Sequence, residues 1–399
     1  MCTPLIIQSD NTIMLHVDVP CFVEVRAFIS KFAVAEKTPE HLHIYKIDAV
    51  SIWNAAVLGY DKKYIIDGLN KYSQFPLPHN VEFFINEQIL RYGTVKLLKY
   101  CNEKYFVLEF FNDHIKKEII NLKEFDTYIY EPLDENKFLI EKAYRGKLKG
   151  YLIELGFPVE DIIGYDNGEH LDITLKSGWG LREYQKEAVD SFWSGGNDQG
   201  GSGVIVLACG GGKTIVGLGV IAKAQTKTLI ITTTANATYQ FKNEILSKTE
   251  LTEDQVGIFA GKDKEIKDIT ITTYNMLTFR DHKTKVFKYT KLFDENNWGL
   301  LIYDEVHMLP APVFSFSTTL QAKRRLGLTA TLVREDHKEN MIFGLIGPKR
   351  YDMPWKDLEN IGFIAKVQCR ELRVKLSDSV VSTYYEADTK KKRFKMVSR

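Results

Sequence analysis

Val204-Ile205-Val206-Leu207-Ala208-Cys209-Gly210-Gly211-Gly212-Lys213-Thr214 is an apolar, β-branched run that stops at three glycines and passes through Lys-Thr into a second apolar stretch. The first half has the composition of a strand buried on both faces, and the residues after Thr214 have helical spacing. Only glycine lets the main chain curl so tightly that successive N–H groups converge on phosphate oxygens at a helix N-terminus. The stretch therefore predicts a phosphate-binding loop made by Cys209, Gly210, Gly211 and Gly212. Lys213 then reaches the β and γ phosphates, and the Thr214 hydroxyl ligates Mg²⁺. Leu207 stands where the first glycine of the full pattern is usual, so a plain glycine-rich turn is the competing reading.

A second stretch decides between them. Leu300-Leu301-Ile302-Tyr303 reads as another buried strand and delivers Asp304-Glu305 at its carboxyl end, where open α/β sheets place their ligands. Asp304 is suited to hold the water shell of Mg²⁺, and Glu305 to polarise an attacking water, because a general base must sit beside the nucleophile it activates. Together the two stretches predict a site for ATP with Mg²⁺, with Lys213, Asp304 and Glu305 as its catalytic set.

Asp304-Glu305-Val306-His307 is a D-E-x-H box and resembles motif II of superfamily-two helicases. Further stretches agree in order. Leu181-Arg182-Glu183-Tyr184-Gln185 is similar to that superfamily's adenine-reading segment, and Thr329-Ala330-Thr331 to its T-A-T element. The stretch 232–241, which contains Gln240, and Thr272-Thr273-Tyr274 resemble its DNA-tracking motifs. Gly327 to Asp336 carries Arg334-Glu335-Asp336, which narrows the resemblance to helicases of the xeroderma pigmentosum group B (XPB) type. Leu309-Pro310-Ala311-Pro312, Leu345-Ile346-Gly347-Pro348-Lys349 and, near the amino terminus, Pro4-Leu5-Ile6 and Arg91-Tyr92-Gly93 belong to the same likeness. It covers nearly the whole chain, and the branch looks bacterial.

The resemblance implies a RecA-like lobe and 3′ to 5′ movement on DNA. It implies base contact by Gln185, with Arg182 in the same nucleotide-binding segment, and pairing of His307 with Thr329 and Thr331 to couple nucleotide state to DNA grip. DNA contact falls to Gln240 and Thr273, and strand separation to Arg334, Glu335 and Asp336. From the residues alone, those last three read equally as a surface ion network.

The expected fold class is α/β: a parallel-sheet P-loop domain preceded by a small α+β, winged-helix-like domain. Residues 5–8 and 12–17 form a hairpin around Ser9-Asp10-Asn11, and helices follow at 48–58, 61–72 and 80–92. A second hairpin over 94–111 turns at Asn102 and Glu103, a helical stretch covers 138–155, and a short strand covers 171–175. Helices followed by a hairpin suggest the winged-helix grouping, with a small docking domain as the alternative. Strands are expected at 204–208, 228–232, 269–273, 300–303 and 325–328, with a polar, glycine-rich loop over 194–203. The expected divisions are an N-terminal recognition domain over 1–125, a connecting segment over 126–176, the ATP-binding lobe over 177–355, and the start of a connection to a second lobe over 356–399.

No second strand–helix series or arginine-finger segment follows Asp336 in the sequence. The expectation is thus the front part of a DNA-dependent ATPase and helicase acting in DNA repair, with slow hydrolysis until a second RecA-like lobe joins it. The alternative is an ATP- and DNA-binding module that serves as a partner subunit without motor activity. Expected partners are single-stranded or distorted duplex DNA and that second lobe; a nuclease partner is left open.

A formal charge of +1 across 399 residues means that DNA contact must come from local patches rather than bulk field. The tail Lys390, Lys391, Lys392, Arg393 and Lys395 reads as such a patch or as a solvated linker. No apolar stretch approaches the ~20 residues of a membrane span, and the amino terminus does not look like a secretory signal, so the expected location is the cytoplasm. Cys2, Cys21, Cys101, Cys209 and Cys369 lack paired spacing and are expected to be buried free thiols. His41 and His43 alternate as on a strand and are expected to be structural.

Overall fold

A computed structural model describes residues 2–366 apart from 40, 103, 162–167, 194–200, 280–287, 290–295, 310–321, 323 and 332–338, together with 384, 385 and 389. Three sheets organise them.

The first is antiparallel, in the order β1 (Leu5–Ile7), β2 (Thr12–His16), β4 (Leu42–Lys46), β3 (Val34–Lys37). Asn11, a residue that tolerates the left-handed region, turns the first hairpin at φ 67°. The helices α1 (Phe22–Ile29), α2 (Ala49–Val57), α3 (Lys62–Tyr72) and α4 (His79–Arg91) cover this sheet. Asp48 and Ser51 form a capping box at the start of α2, and the Asp61 carboxylate accepts the Tyr64 N–H at the start of α3. Leu5, Ile13, Leu15, Phe32, Ile52, Ile65, Leu69 and Ile85 form the core between sheet and helices.

The 94–111 hairpin does not fold onto these helices. Its strands β5 (Val95–Lys99) and β6 (Tyr105–Phe110) belong to a second sheet with β7 (Ile129–Pro132), β8 (Lys137–Glu141) and β9 (Val159–Asp161), in the order β7-β8-β6-β5-β9. This replaces the winged-helix grouping. Phe125 packs in that sheet's core with Phe110, Ile140 and Leu148, so the expected boundary after residue 125 falls inside one folded unit. The 138–155 stretch begins as β8 and becomes helical only from a 3-10 turn at Lys142–Tyr144, which leads into α6 (Arg145–Glu154); α5 (Asp113–Ile120) lies between β6 and β7. The three-residue apolar run Phe138-Leu139-Ile140 has no periodicity with which to tell strand from helix.

The third sheet has eight strands in the order β13 (Asp263–Lys264), β12 (Val256–Ala260), β14 (Ile269–Thr273), β11 (Thr228–Thr232), β15 (Leu300–Asp304), β16 (Arg324–Thr329), β10 (Ser202–Leu207), β17 (Lys349–Met353). All neighbours are parallel except β12 and β13. The five expected strands are present; β12, β13 and β17 extend the sheet at both edges. The helices are α7 (Glu183–Trp193), α8 (Lys213–Ala224), α9 (Ala235–Lys248), α10 (Tyr274–Leu277), α11 (Glu339–Leu345) and α12 (Trp355–Asn360). Ile205 and Leu207 face one core with Val216, Leu218 and Ile302, whereas Val204 and Val206 face the other with Tyr303 and Ile346. Cores on both faces explain the unbroken apolar strands.

The expected limits of this lobe shift outward. Leu171 and Ile173 belong to its core, and 171–175 is tied on by single bridges at His170–Thr226 and Leu175–Thr249 rather than as a full strand. Leu358 of α12 is also buried in that core, beyond the expected end at 355. The N-terminal sheets dock on the same lobe. Arg26 forms a two-pronged ion pair with Asp357, and the Lys349 N–H donates to Asn54 Oδ1 at 2.9 Å.

The cysteines depart from expectation. Cys2 and Cys21 are joined as a disulfide, because the β1–β2 hairpin and the turn before α1 return residue 21 beside the amino terminus; Cys101 and Cys209 are exposed. Cys369 lies outside the described residues, as do Glu103, 194–200, Pro310-Ala311-Pro312, Arg334-Glu335-Asp336 and the basic tail. His43 on β4 packs edge-on against Phe22, and no group of metal ligands occurs among the described residues. None of the described helices is long and apolar enough to cross a membrane.

Asp161 at the end of β9 is buried beside Arg145 (2.6 Å) and Lys149 (2.9 Å). Burial pushes its pKa up, but the two cations overcome that and hold the carboxyl well below the usual range. An Asp161→Ala variant removes the carboxylate that two buried cations share and is expected to lose about 3–5 kcal/mol of stability, read by urea unfolding at neutral pH.

Candidate nucleotide site

β10 ends at Leu207 and the chain turns through Gly210 (φ 81°) and Gly212 (φ 79°), both left-handed, before α8 begins at Lys213. A side chain at Gly211 would place Cβ 2.9 Å from Leu358 Cδ1 and 3.0 Å from the Ala208 carbonyl oxygen, and one at Gly212 would lie 2.5 Å from Gln185 Nε2. The loop is therefore a cradle that only glycine fits, and its shape suits the oxygens of a polyphosphate. Thr214, half-buried on the first turn of α8, and Asp304 are the residues that could hold a divalent cation beside it.

β16 lies between β10 and β15, so the phosphate loop, Asp304-Glu305 and Thr329 leave the sheet at neighbouring carboxyl ends. Their side chains form one chain of contacts. Lys213 Nζ donates to Glu305 Oε1 at 2.6 Å; His307 Nδ1 lies 3.5 Å from Glu305 Oε2 and 2.8 Å from Thr329 Oγ1. The Thr331 N–H in turn donates to Thr329 Oγ1 at 3.2 Å. Glu305 sits at φ 49°, ψ 53°, a left-handed backbone that costs a non-glycine residue about 1–3 kcal/mol and is concentrated at working sites.

Two expected residues do something different. Gln185 is buried, with its amide turned under the loop. Oε1 accepts the Arg182 N–H at 3.0 Å and Nε2 points at the Gly211 carbonyl at 3.4 Å. Thr273 is also buried, its hydroxyl accepting the Met276 N–H as the cap of α10, so it presents no free side chain for DNA. Gln240 is exposed early in α9, which leaves the carboxyl end of β11.

Three residues escaped sequence reading. The Tyr184 hydroxyl donates to the Gly211 carbonyl at 2.9 Å, and the buried Tyr274 hydroxyl donates to the Asp304 carbonyl at 2.9 Å. The Arg182 guanidinium lies over the Phe363 ring at 4.4 Å. Both tyrosines stood inside quoted motifs, but nothing local marked their hydroxyls; Phe363 had no signal at all.

A phosphate cradle, an acidic box and a threonine element on three adjacent parallel strands define the P-loop motor lobe of a superfamily-two helicase. Comparison with known proteins agrees. Residues 179–334 match the family described as the Res subunit of type III restriction enzymes, and residues 5–133 match the helicase conserved C-terminal domain. The chain is 44% identical over 98% of its length to the DNA 3′-5′ helicase XPB of Kineococcus radiotolerans, spanning 69% of that protein. It is likewise 44% identical over 96% of its length to that of Mycobacterium tuberculosis, of which it spans 69%. Identity is 34% to the general transcription and DNA repair factor IIH helicase/translocase subunit XPB of Encephalitozoon cuniculi, covering 98% of this chain and 59% of the relative. The chain belongs to the XPB family of DNA helicases, on its bacterial side.

Burial first, and the neighbouring Glu305 charge second, raise the Asp304 carboxyl to about 6, with Lys213 opposing the shift. Because the folded pKa lies above the ordinary carboxyl value, ionising Asp304 destabilises the free protein as pH rises from about 4 to 6, by roughly 3 kcal/mol in full. A cation held by this group would compete with protons for it. Cation-dependent nucleotide affinity is expected to weaken as pH falls through about 6, measured by titration calorimetry between pH 5 and 8, whereas an Asp304→Asn variant shows no such step and melts higher than wild type without cation at pH 7.

Proposed function

We propose that this chain is the ATP-binding lobe and N-terminal region of a DNA-dependent ATPase and 3′–5′ DNA helicase that acts on single-stranded or distorted duplex DNA in repair, in the cytoplasm. The observation that carries the reading is the unbroken contact chain from Lys213 through Glu305 and His307 to Thr329 and Thr331.

In this reading the loop amides of Cys209 to Gly212 receive the phosphates of ATP, and Thr214 and Asp304 hold Mg²⁺. Mg²⁺ held by these residues would supply charge neutralisation to the phosphates. The Lys213 ammonium, paired with Glu305 in this structure, exchanges that carboxylate for phosphate oxygen. Glu305 is thereby released to accept a proton from the attacking water. His307 touches both Glu305 and Thr329, so a change at the carboxylate reaches the T-A-T element without an intervening gap.

Among the described residues there is one parallel sheet of this kind. Charge on the transferring phosphoryl group needs arginines from a second lobe, in the same longer protein or in another chain, and such arginines contribute about 10³–10⁵ in rate. A polypeptide of these 399 residues is accordingly expected to bind ATP–Mg²⁺ and release phosphate slowly, without processive unwinding. Calorimetry and a phosphate-release assay test this: Lys213→Ala should abolish binding, Glu305→Gln should keep binding and lose turnover, and adding a second-lobe protein with DNA should raise turnover steeply. Wild-type affinity in Lys213→Ala would remove the site; flat turnover with persistent DNA binding would mean a binding module instead of a motor.

A further inference from the structure

Gln185 faces the underside of the phosphate loop, which leaves the flat faces of a nucleotide base without a partner from that residue. A large aromatic packs against its neighbours Arg182 and Tyr184. Phe363 is 43% exposed although its ring is held on two sides, by the Arg182 guanidinium 4.4 Å from its centroid and by the Tyr184 ring at 5.4 Å and 48°.

The segment carrying Phe363 is anchored to the phosphate loop itself. After α12 the chain turns back through Gly362 at φ 78°, and the Phe363 N–H donates to the Leu358 carbonyl at 3.0 Å. Leu358 packs under Gly211, and Ile364 lies 3.5 Å from where a Gly210 side chain would begin. Tyr184 is bonded to the Gly211 carbonyl, so the ring, the guanidinium and the phosphate cradle are joined by direct contacts. An exposed phenyl ring fixed at the rim of a polyphosphate cradle, with a cation on its face, offers a base what a buried packing residue does not: a flat π surface of fixed distance from the phosphates.

We propose that Phe363, with Arg182, is the stacking platform for the base of the bound nucleotide, and that it favours purines because they present the larger ring face. This rests on the nucleotide reading of the loop. Phe363 is a binding residue and takes no part in proton transfer.

Calorimetric titration of the 399-residue chain with Mg²⁺ plus either ATP or inorganic tripolyphosphate tests it. Phe363→Ala is expected to weaken ATP about tenfold or more while leaving tripolyphosphate within about twofold, and Phe363→Trp to restore ATP. Unchanged ATP affinity in Phe363→Ala would overturn the proposal. So would equal weakening of ATP and tripolyphosphate, which would make Phe363 a support of the loop. If instead wild type bound neither ligand, or Lys213→Ala bound both normally, the nucleotide reading would fall first and this inference with it.

Discussion

The Lys213–Glu305 ion pair, 2.6 Å long with side chains only 12% and 27% exposed, is the constraint around which the lobe is arranged. Pairing offsets part of the desolvation that each charge suffers in such surroundings. Each carries a neighbour with its own demand. Asp304 sits deeper than Glu305 and is pushed toward protonation, while Lys213 is the nearest cation that opposes this. Two carboxylates and one ammonium leave the site short of positive charge. A divalent cation held there, as proposed, would correct that shortage.

Bringing these groups together from positions 213 and 305 is the work of strand order. β16 enters between β10 and β15 and carries Gly327, where a side chain would begin 3.1 Å from Val204 Cγ2 and 3.2 Å from Val306 Cγ1. The missing side chain lets Val306, just past the acidic pair, settle against the sheet, and the following turn then aims His307 at Thr329. Local glycine content and the burial of both sheet faces are one design: close approach of backbones at the carboxyl edge, with apolar layers above and below holding the register.

Much of this was legible because it is local. A glycine triplet after a β-branched run, or a carboxylate pair at the end of one, states its conformation within about ten residues. The helices at 48–58 and 61–72 were readable for the same reason, since Asp48 and Asp61 cap them from adjacent positions. What failed was non-local. The hairpin at 94–111 was read correctly as a hairpin, but its membership in a sheet with β7, β8 and β9 depends on pairing partners that no periodicity encodes. β17 pairs with β10 across about 145 residues, and its polar, half-buried sequence Lys-Arg-Tyr-Asp-Met resembles loop as much as strand. Thr273 matched a motif by type, but the demand of α10 for an N-cap claimed its hydroxyl, a competition between local capping and ligand contact that spelling alone does not settle.

Tyr274 shows how far such a non-local tie can reach. It follows Thr273 at the end of β14, two strands from β15, yet its hydroxyl crosses the end of β11 to donate to the Asp304 carbonyl. That carbonyl belongs to the peptide joining Asp304 to Glu305, whose plane sets the φ of 49° at Glu305. Burial holds the Tyr274 hydroxyl well above its ordinary pKa, so it stays protonated and able to donate. A strained backbone persists only where its surroundings over-determine it, and here the over-determining groups are Lys213 on the side chain and Tyr274 on the main chain. Any displacement of α10 relative to the sheet therefore acts on the peptide that orients the carboxylate, before it acts on anything that touches a phosphate.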